Sequence, residues 1–434
     1  MNKLKHTWNY ILQNYHTTLQ VRMFGELLTS LTGSMLAPFL LLYLYEKLDG
    51  AVLLPLIIVG LQPLTEIVVT IAGGSITDRY GRKPIIMFAL SLQIVAMTGF
   101  MLADSVWLFA FLYILNGIGH SLYIPAERAQ IADIVSDEKR AEVYGVLNTL
   151  GYIGQGLGPV LGMLVFAFEP ALVFGLQACS LLIYLLVFWK TTDETAPGVA
   201  EPIDHQDEHT LAVGTVQDFQ SIHSNDKSPS LLERTKQFIY LHQHVLLLML
   251  CALPISFFYA QTETTFRLHA QATFTDYLSV IAILATVKAC LSVGLQVWLI
   301  KKTEHITLTT IMLITCLCYI ITSLLYGLSP VLWPLLVAQV TMTIGESLGI
   351  TRLYQYVAGI APANKRGLYF SIHGTHWDIS RSIGPFLGGI VFIHAGGAVL
   401  FTLVSLLLGV SYFSYRYVLS RNVHSPKTLV DSSD

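Results

Sequence analysis

Five carboxylic acids stand inside stretches that are otherwise apolar: Glu26, Glu66, Glu263, Glu346 and Asp378. A charge in hydrocarbon costs at least ~2.5 kcal/mol on insertion scales, so an acid kept there faces a water-filled cavity or a partner. Its chemistry is cation binding or proton exchange, because a carboxyl withdrawn from water holds a proton more tightly and can trade it near neutral pH. Lys288 and Arg381 are cations in the same apolar setting and are candidate counter-charges, Lys288 for Glu346 or Asp378. Two local pairings are also open, Asp378 with Arg381 at i,i+3 and Glu263 with Arg267 at i,i+4.

The neighbours of these acids at helical spacing are small or polar. Glu26 shares a stripe with Ser30, Gly33 and Ala37, Glu66 with Gln62 and Thr70, and Glu346 with Gln339 and Thr343. Such faces suit a cavity better than lipid. His373, His376 and Trp377 either line the same path or pack inside the bundle, and Tyr113, Tyr123 and Phe258 are candidates for its aromatic wall.

The elements that position these groups are membrane helices. The 434 residues are 53% hydrophobic and 12% charged, with mean hydropathy +0.60, too little polar surface to coat a soluble globule. The apolar residues come in runs of about 20, the length of a helix crossing roughly 30 Å of hydrocarbon. Spans are expected near 20–45, 51–72, 84–103, 106–127, 143–166, 171–190, 241–264, 276–300, 306–326, 331–352, 368–393 and 397–417. The first residues carry Lys3 and Lys5 but no apolar segment followed by a small-residue cleavage site, so no removable leader is expected.

With both termini inside, Lys47 and Arg267 are the two outer cations of 25 Lys and Arg, while Arg79, Arg82, Lys83, Lys139, Arg140, Lys301, Lys302, Lys365 and Arg366 lie in inner loops. That asymmetry sets the orientation in a plasma membrane. Residues 191–237 are polar and rich in Asp, Glu, Ser and Pro, and are expected to form a cytoplasmic linker between halves 1–190 and 238–434. His205 and His209 in that linker read as solvated loop residues, and the five cysteines all fall in spans as small buried hydrophobes. No metal, cofactor or nucleic-acid partner is expected; the partners expected are a small-molecule substrate, the proton and membrane lipids, with the chain acting as a monomer.

The halves repeat each other. Residues 132–162 align without gaps on 358–388, sharing a Lys-Arg pair and a Gly-Pro-x-Leu-Gly ending. In this register Glu346 falls on His120. Parallel six-helix repeats place substrate at their interface near the bilayer midplane and alternate access by rocking.

Between the second and third spans stands Gly74-x-x-x-Asp78-Arg79-x-Gly81-Arg82-Lys83. With this motif the sequence resembles the major facilitator superfamily. The resemblance implies an all-α membrane protein of the major facilitator fold, twelve transmembrane helices in two pseudo-symmetric six-helix halves. It also implies that Asp78 pairs with basic groups and helix ends to latch the two halves, while Gly81 permits a tight turn. The second half keeps only Lys301-Lys302-Thr303-Glu304-His305 at the matching loop, so the latch is asymmetric.

Gly154, Gly158, Pro159 and Gly162 in the fifth span, with Gly384 and Pro385 repeating the device in the eleventh, resemble the motif of the drug:proton antiporter branch. Physically they permit close helix approach and a bend. Glu26, about twelve residues before Pro38, and the Gly345-Glu346 pair with Glu263 resemble acids of multidrug exporters that bind cations and protons. The family's usual arginine in the fourth span is absent, Tyr113-Ile114-Leu115-Asn116-Gly117 standing in its place.

The function expected is a secondary transporter exporting amphipathic, cationic compounds against protons; the alternative is the same fold moving a lipid, sugar or other metabolite. An enzyme is not expected, since no constellation such as His-Glu-x-x-His is found.

Overall fold

The computed structural model describes residues 16–73, 80–195, 231–362 and 366–420. Gly74, Asp78 and Arg79 of the loop motif, and His205 and His209, lie outside the described residues.

All regular elements described are helices. They are α1 (Thr17–Leu36), α2 (Leu40–Lys47), α3 (Leu53–Gly73), α4 (Arg82–Leu102), α5 (Val106–Ile134), α6 (Asp137–Phe168) and α7 (Ala171–Thr191). The second set is α8 (Leu231–Leu241), α9 (Gln243–Glu263), α10 (Thr265–Thr273), α11 (Tyr277–Lys302), α12 (Leu308–Leu328), α13 (Leu332–Ile360) and α14 (Arg366–Ser420).

Length and apolarity alone mark eight of the described helices as able to span a membrane, or nine when α1 and α2 count as one span bent by 43°. The bend falls at Pro38, whose ring and missing N–H interrupt the helical ladder. The 55-residue α14 covers the last two expected spans and turns at Gly396, whose φ of +80° is open to glycine at little cost. At the positions of the remaining expected spans stand α3 and α13. Polar residues such as Gln339, Glu346, Arg352 and Gln355 dilute the apolarity of α13.

A helix begins inside the segment expected as a linker. Helix α8 begins at Leu231 rather than after Gln237, because Leu231-Leu-Glu-Arg-Thr-Lys-Gln-Phe-Ile-Tyr-Leu241 alternates apolar and polar residues at helical spacing.

Each half has its own apolar core. Phe39, Phe100, Phe109 and Phe174 centre the first, and Phe258, Tyr319, Phe401 and Tyr415 the second. Leu268 and Ala270 of α10 with Ile281 and Ala282 of α11 join the first core, so the halves are packed together at the end of the bundle that carries the α2–α3 turn. At that end Arg267 donates to the carbonyl of Ala37, in the bend where the helix break leaves carbonyls without intrahelical partners, and Tyr277 reaches Glu46 at 3.4 Å.

At the opposite end the described part of the loop motif works within the first half. Gly81 has φ +89° and leads into α4, whose first N–H groups, those of Arg82 and Lys83, donate to the two oxygens of Glu194 at 2.9 and 3.0 Å. A carboxylate at a helix N-terminus meets both the open donors and the positive end of the dipole. A Cβ on residue 81 would stand 2.6 Å from Glu194 Oε2, a second reason for glycine there. The Arg82 side chain reaches Asp133 at 3.2 Å and the Lys83 ammonium donates to the Trp189 carbonyl at 3.1 Å, tying α4 to α5 and α7.

The glycines of α6 serve packing. A Cβ on Gly158 would lie 2.6 Å from Ser34 Cβ and 2.7 Å from the Leu31 carbonyl, and Gly154 and Gly162 meet the α1 backbone as tightly. Overfilling such a contact costs about 1–3 kcal/mol. Gly158→Ala is therefore expected to lower the melting temperature of the purified protein. Gly145→Ala on the same helix, where nothing lies within 4 Å, should leave it unchanged or raise it by up to about 1 kcal/mol of stability.

Candidate functional site

A cavity of about 390 Å³ lies between the halves, walled by α1 and α6 on one side and α11 and α13 on the other. Its lining is mixed: Ser34, Tyr152, Gln155, Ser292, Gln296 and Thr351 bring hydroxyls and amides, and alanines, prolines and Ile350 the apolar part. Its acid and its amine are Glu346 and Lys288, paired at 3.0 Å between α13 and α11. Each side chain of this pair is about one-third exposed, 33% and 32%, so neither charge is sealed from water. Of the two partners open to Lys288, the structure selects Glu346. The ammonium also lies 5.4 Å from the centroid of the Tyr259 ring, whose hydroxyl adjoins Glu346 and contacts the Tyr319 hydroxyl at 3.0 Å.

The cavity wall is also where the halves touch. Thr286 of α11 donates to the Gly156 carbonyl of α6 at 3.2 Å, and Tyr152 reaches Gln296 at 3.4 Å. Pro159 lies on this wall, at the point of contact.

A second pair mirrors the first in the other half. Glu66 of α3 binds His120 of α5 at 2.9 Å, takes a bond from Gln62 at 3.0 Å, and Gln62 in turn accepts from Asn116 at 3.0 Å. Asn116 stands in the stretch where the family arginine is missing, and its amide completes a neutral chain to Glu66. In the repeat register Glu346 falls on His120 and Lys288 on Gln62, so both halves hold an acid–base couple between equivalent helices with the polarity reversed.

Neither local pairing open to Glu263 and Asp378 forms. Glu263 binds Arg381 of α14 at 3.3 Å. An i,i+4 pair needs a continuous helix, and α9 ends at Thr264 (φ −127°, ψ −84°), which sends Arg267 onto the Ala37 carbonyl. Arg381, drawn to Glu263, makes no bond to Asp378, whose carboxyl lies within electrostatic reach of Glu66 and Arg381. Gln261 donates to the Gly384 carbonyl at 2.9 Å, tying α14 to α9 one residue before Pro385.

Glu26 is half-buried against α6, where a Cβ on Gly151 would be 3.0 Å from its Oε1. Of its stripe, Ala37 lines the cavity, whereas Ser30 packs on Gly154 and Gly33 faces Gln177 of α7. Eight residues of helix, about 12 Å, separate Glu26 from Ser34 at the cavity wall.

The aromatic candidates pack rather than line this cavity. Tyr113 stacks edge-on against Phe100 and Phe258 lies among Tyr259 and Tyr319. His373, His376 and Trp377 border a small apolar pocket inside the second half.

Sequence reasoning missed Arg22. Its guanidinium is buried in α1, paired with Glu127 and bonded to Tyr123 at 3.0 Å and to Tyr184. The expected span stopped at 127 because Glu127 and Arg128 look like loop residues, but α5 runs on to Ile134 and encloses the acid. Arg22 one turn before Glu26 was the available signal.

The sequence matches the Major Facilitator Superfamily over residues 22–385. The chain belongs to that superfamily. This facilitator is 40% identical over 418 residues, 96% of its length and 97% of the relative's, to the "Uncharacterized MFS-type transporter YhjO" of Bacillus subtilis. It is 25% identical over 86% of its length, and 89% of the other's, to a Na(+), Li(+), K(+)/H(+) antiporter of Planococcus maritimus. A shorter match, 25% over 37% of this chain and 41% of the other, is to the multidrug resistance protein MdtH of an Enterobacter species. In fold it is similar to a D-xylose–proton symporter, with TM-score 0.70 at 13% identity over 92% of this chain and 97% of the other. The facilitator is thus a multi-pass membrane transporter.

Removing one member of a buried ion pair leaves a charge stranded, at about 3–5 kcal/mol, while an apolar pair of similar volume is often neutral. Glu127→Ala is therefore expected to destabilise this transporter strongly, and Arg22→Met with Glu127→Leu much less, as read by thermal unfolding of the purified variants.

Proposed function

We propose that this transporter exports amphipathic cationic compounds in exchange for protons. The observation that carries the reading is the placement of Glu346, an acid at the wall of the cavity between the halves with about one-third of its side chain exposed. A carboxylate there attracts a cation, and a proton bound to the same oxygens removes the attraction, so cargo and proton exclude each other. Antiport needs no more than that competition, with the cavity opened alternately to either side by rocking of the two halves.

The name of one relative, an antiporter of alkali cations and protons, supports cation–proton exchange, and that of another, a multidrug resistance protein, supports drug-like cargo. Glu66 with His120 is assigned a second proton site, Glu263 with Arg381 an inter-helix pair inside the second half, and Asp378 a further acid within electrostatic reach of Glu66 and Arg381. Glu26 supplies negative potential at the base of α1. Gly74, Asp78 and Arg79 are assigned, with the rest of their loop, to holding the cytoplasmic side. By the positive-inside asymmetry both termini are cytoplasmic, the membrane is the cell membrane, the segment near 191–230 links the halves, and the unit is a monomer surrounded by lipid.

Everted membrane vesicles carrying Glu346→Gln test the reading. Proton-driven accumulation of ethidium is expected to fall at least tenfold from the wild-type rate, since Gln can neither ionise nor carry a proton. Ethidium uptake at the wild-type rate would remove Glu346 from coupling.

A further inference from the structure

The Lys288 ammonium occupies a site whose chemistry is that of an amine receptor. It has a carboxylate oxygen of Glu346 at 3.0 Å on one side and the face of Tyr259 at 5.4 Å on the other. A carboxylate with an aromatic face is the pairing that recognises alkylammonium groups, through charge and through the ring quadrupole. We propose that Lys288 is a tethered ligand of this site, filling it in the empty carrier, and that the cargo is an organic amine whose ammonium displaces Lys288 from Glu346 and Tyr259.

The proposal rests on the reading of Glu346 as a cargo-binding acid and adds the cargo's class and the means of its admission. Three features support displacement over a fixed structural pair. Both side chains are one-third exposed at the cavity wall, so an entering amine meets them there and the released lysine has the cavity to move into, which uncovers the Glu346 oxygen it had held. Ser292, one helical turn along α11, and Gln296, a turn beyond, line the same cavity and offer acceptors to the displaced ammonium. Lysine is a point charge on a flexible stem, whereas an arginine would hold the carboxylate by two parallel bonds. The mirrored pair lacks this design: Glu66 already accepts from the neutral amide of Gln62, the residue that stands where Lys288 stands in the repeat.

A resident competitor weakens the affinity for what it displaces. Removing it while keeping the acid should strengthen binding, whereas a lysine that merely supports the fold or touches the cargo would weaken binding on removal. The test uses the purified full-length protein in detergent, with n-hexylammonium as the probe and n-hexanol as its neutral counterpart, at one mildly alkaline pH.

Lys288→Met is expected to bind n-hexylammonium roughly tenfold tighter than wild type, a shift of about 1.4 kcal/mol, with n-hexanol unchanged. Glu346→Gln, alone or with Lys288→Met, should lose the amine preference. Lys288→Gln, which keeps length and polarity, serves as a second variant should the methionine fail to fold and is expected to behave the same way. Amine binding that weakens or stays level in both lysine variants, or no preference for amine over alcohol in any protein, would overturn the proposal. Because the measurement needs no gradient, it separates from the functional reading: amine binding with no proton-driven efflux would sink antiport and leave the tethered ligand standing.

Discussion

The structure depends on one constraint: a charge inside the hydrocarbon layer must meet an opposite charge or water. Each intramembrane ionisable group is a solution to it. Arg22 and Glu127 solve it by burial together, with two tyrosine hydroxyls completing the shell. Glu263 and Arg381 solve it across two helices of the second half. Lys288 and Glu346 solve it both ways, by pairing with each other and by facing the aqueous cavity. That double solution is why this pair is the one proposed to meet cargo and proton.

The helix packing exists to present that pair. Glycines on α6 let α1 approach to backbone contact, and the break at Pro38 turns its outer part toward α10, where Arg267 closes the bundle end on the Ala37 carbonyl. The contacts between α6 and α11 run through hydroxyls and one amide rather than through ion pairs, whereas α3 and α14 pack closely, Gly60 against the Ser382 carbonyl and Gly389 against Leu56. Strong charge pairs, by contrast, sit within halves, as Glu194 with the start of α4 and Arg82 with Asp133 show.

Much of this was legible in the residues. Hydropathy runs located the spans, and the ungapped repeat placed Glu346 opposite His120, which the paired geometry of α3–α5 and α11–α13 gives physical sense. Of the five acids in apolar runs one, Glu346, lines the cavity, and it is one of the two partners the sequence left open for Lys288. What the sequence lacked was chain direction at breaks. The i,i+4 spacing of Glu263 and Arg267 implied a pair only while α9 continued, and the turn at Thr264 removed it. A stripe on α1 likewise fixed which residues share a face but not which neighbour that face meets, so Ser34 rather than Ser30 reaches the cavity. Arg22 was hidden because Glu127 looked like a span end.

Competition for a single carboxyl between proton and cargo is the claim on which the transport account rests, and linkage makes it measurable at equilibrium. The decisive quantity is the affinity of the purified protein for tetraphenylphosphonium as a function of pH. Affinity is expected to fall steadily on acidification in the wild type and to be weak and flat in Glu346→Gln. An affinity that does not change with pH, or one whose pH dependence survives the loss of Glu346, would contradict the account.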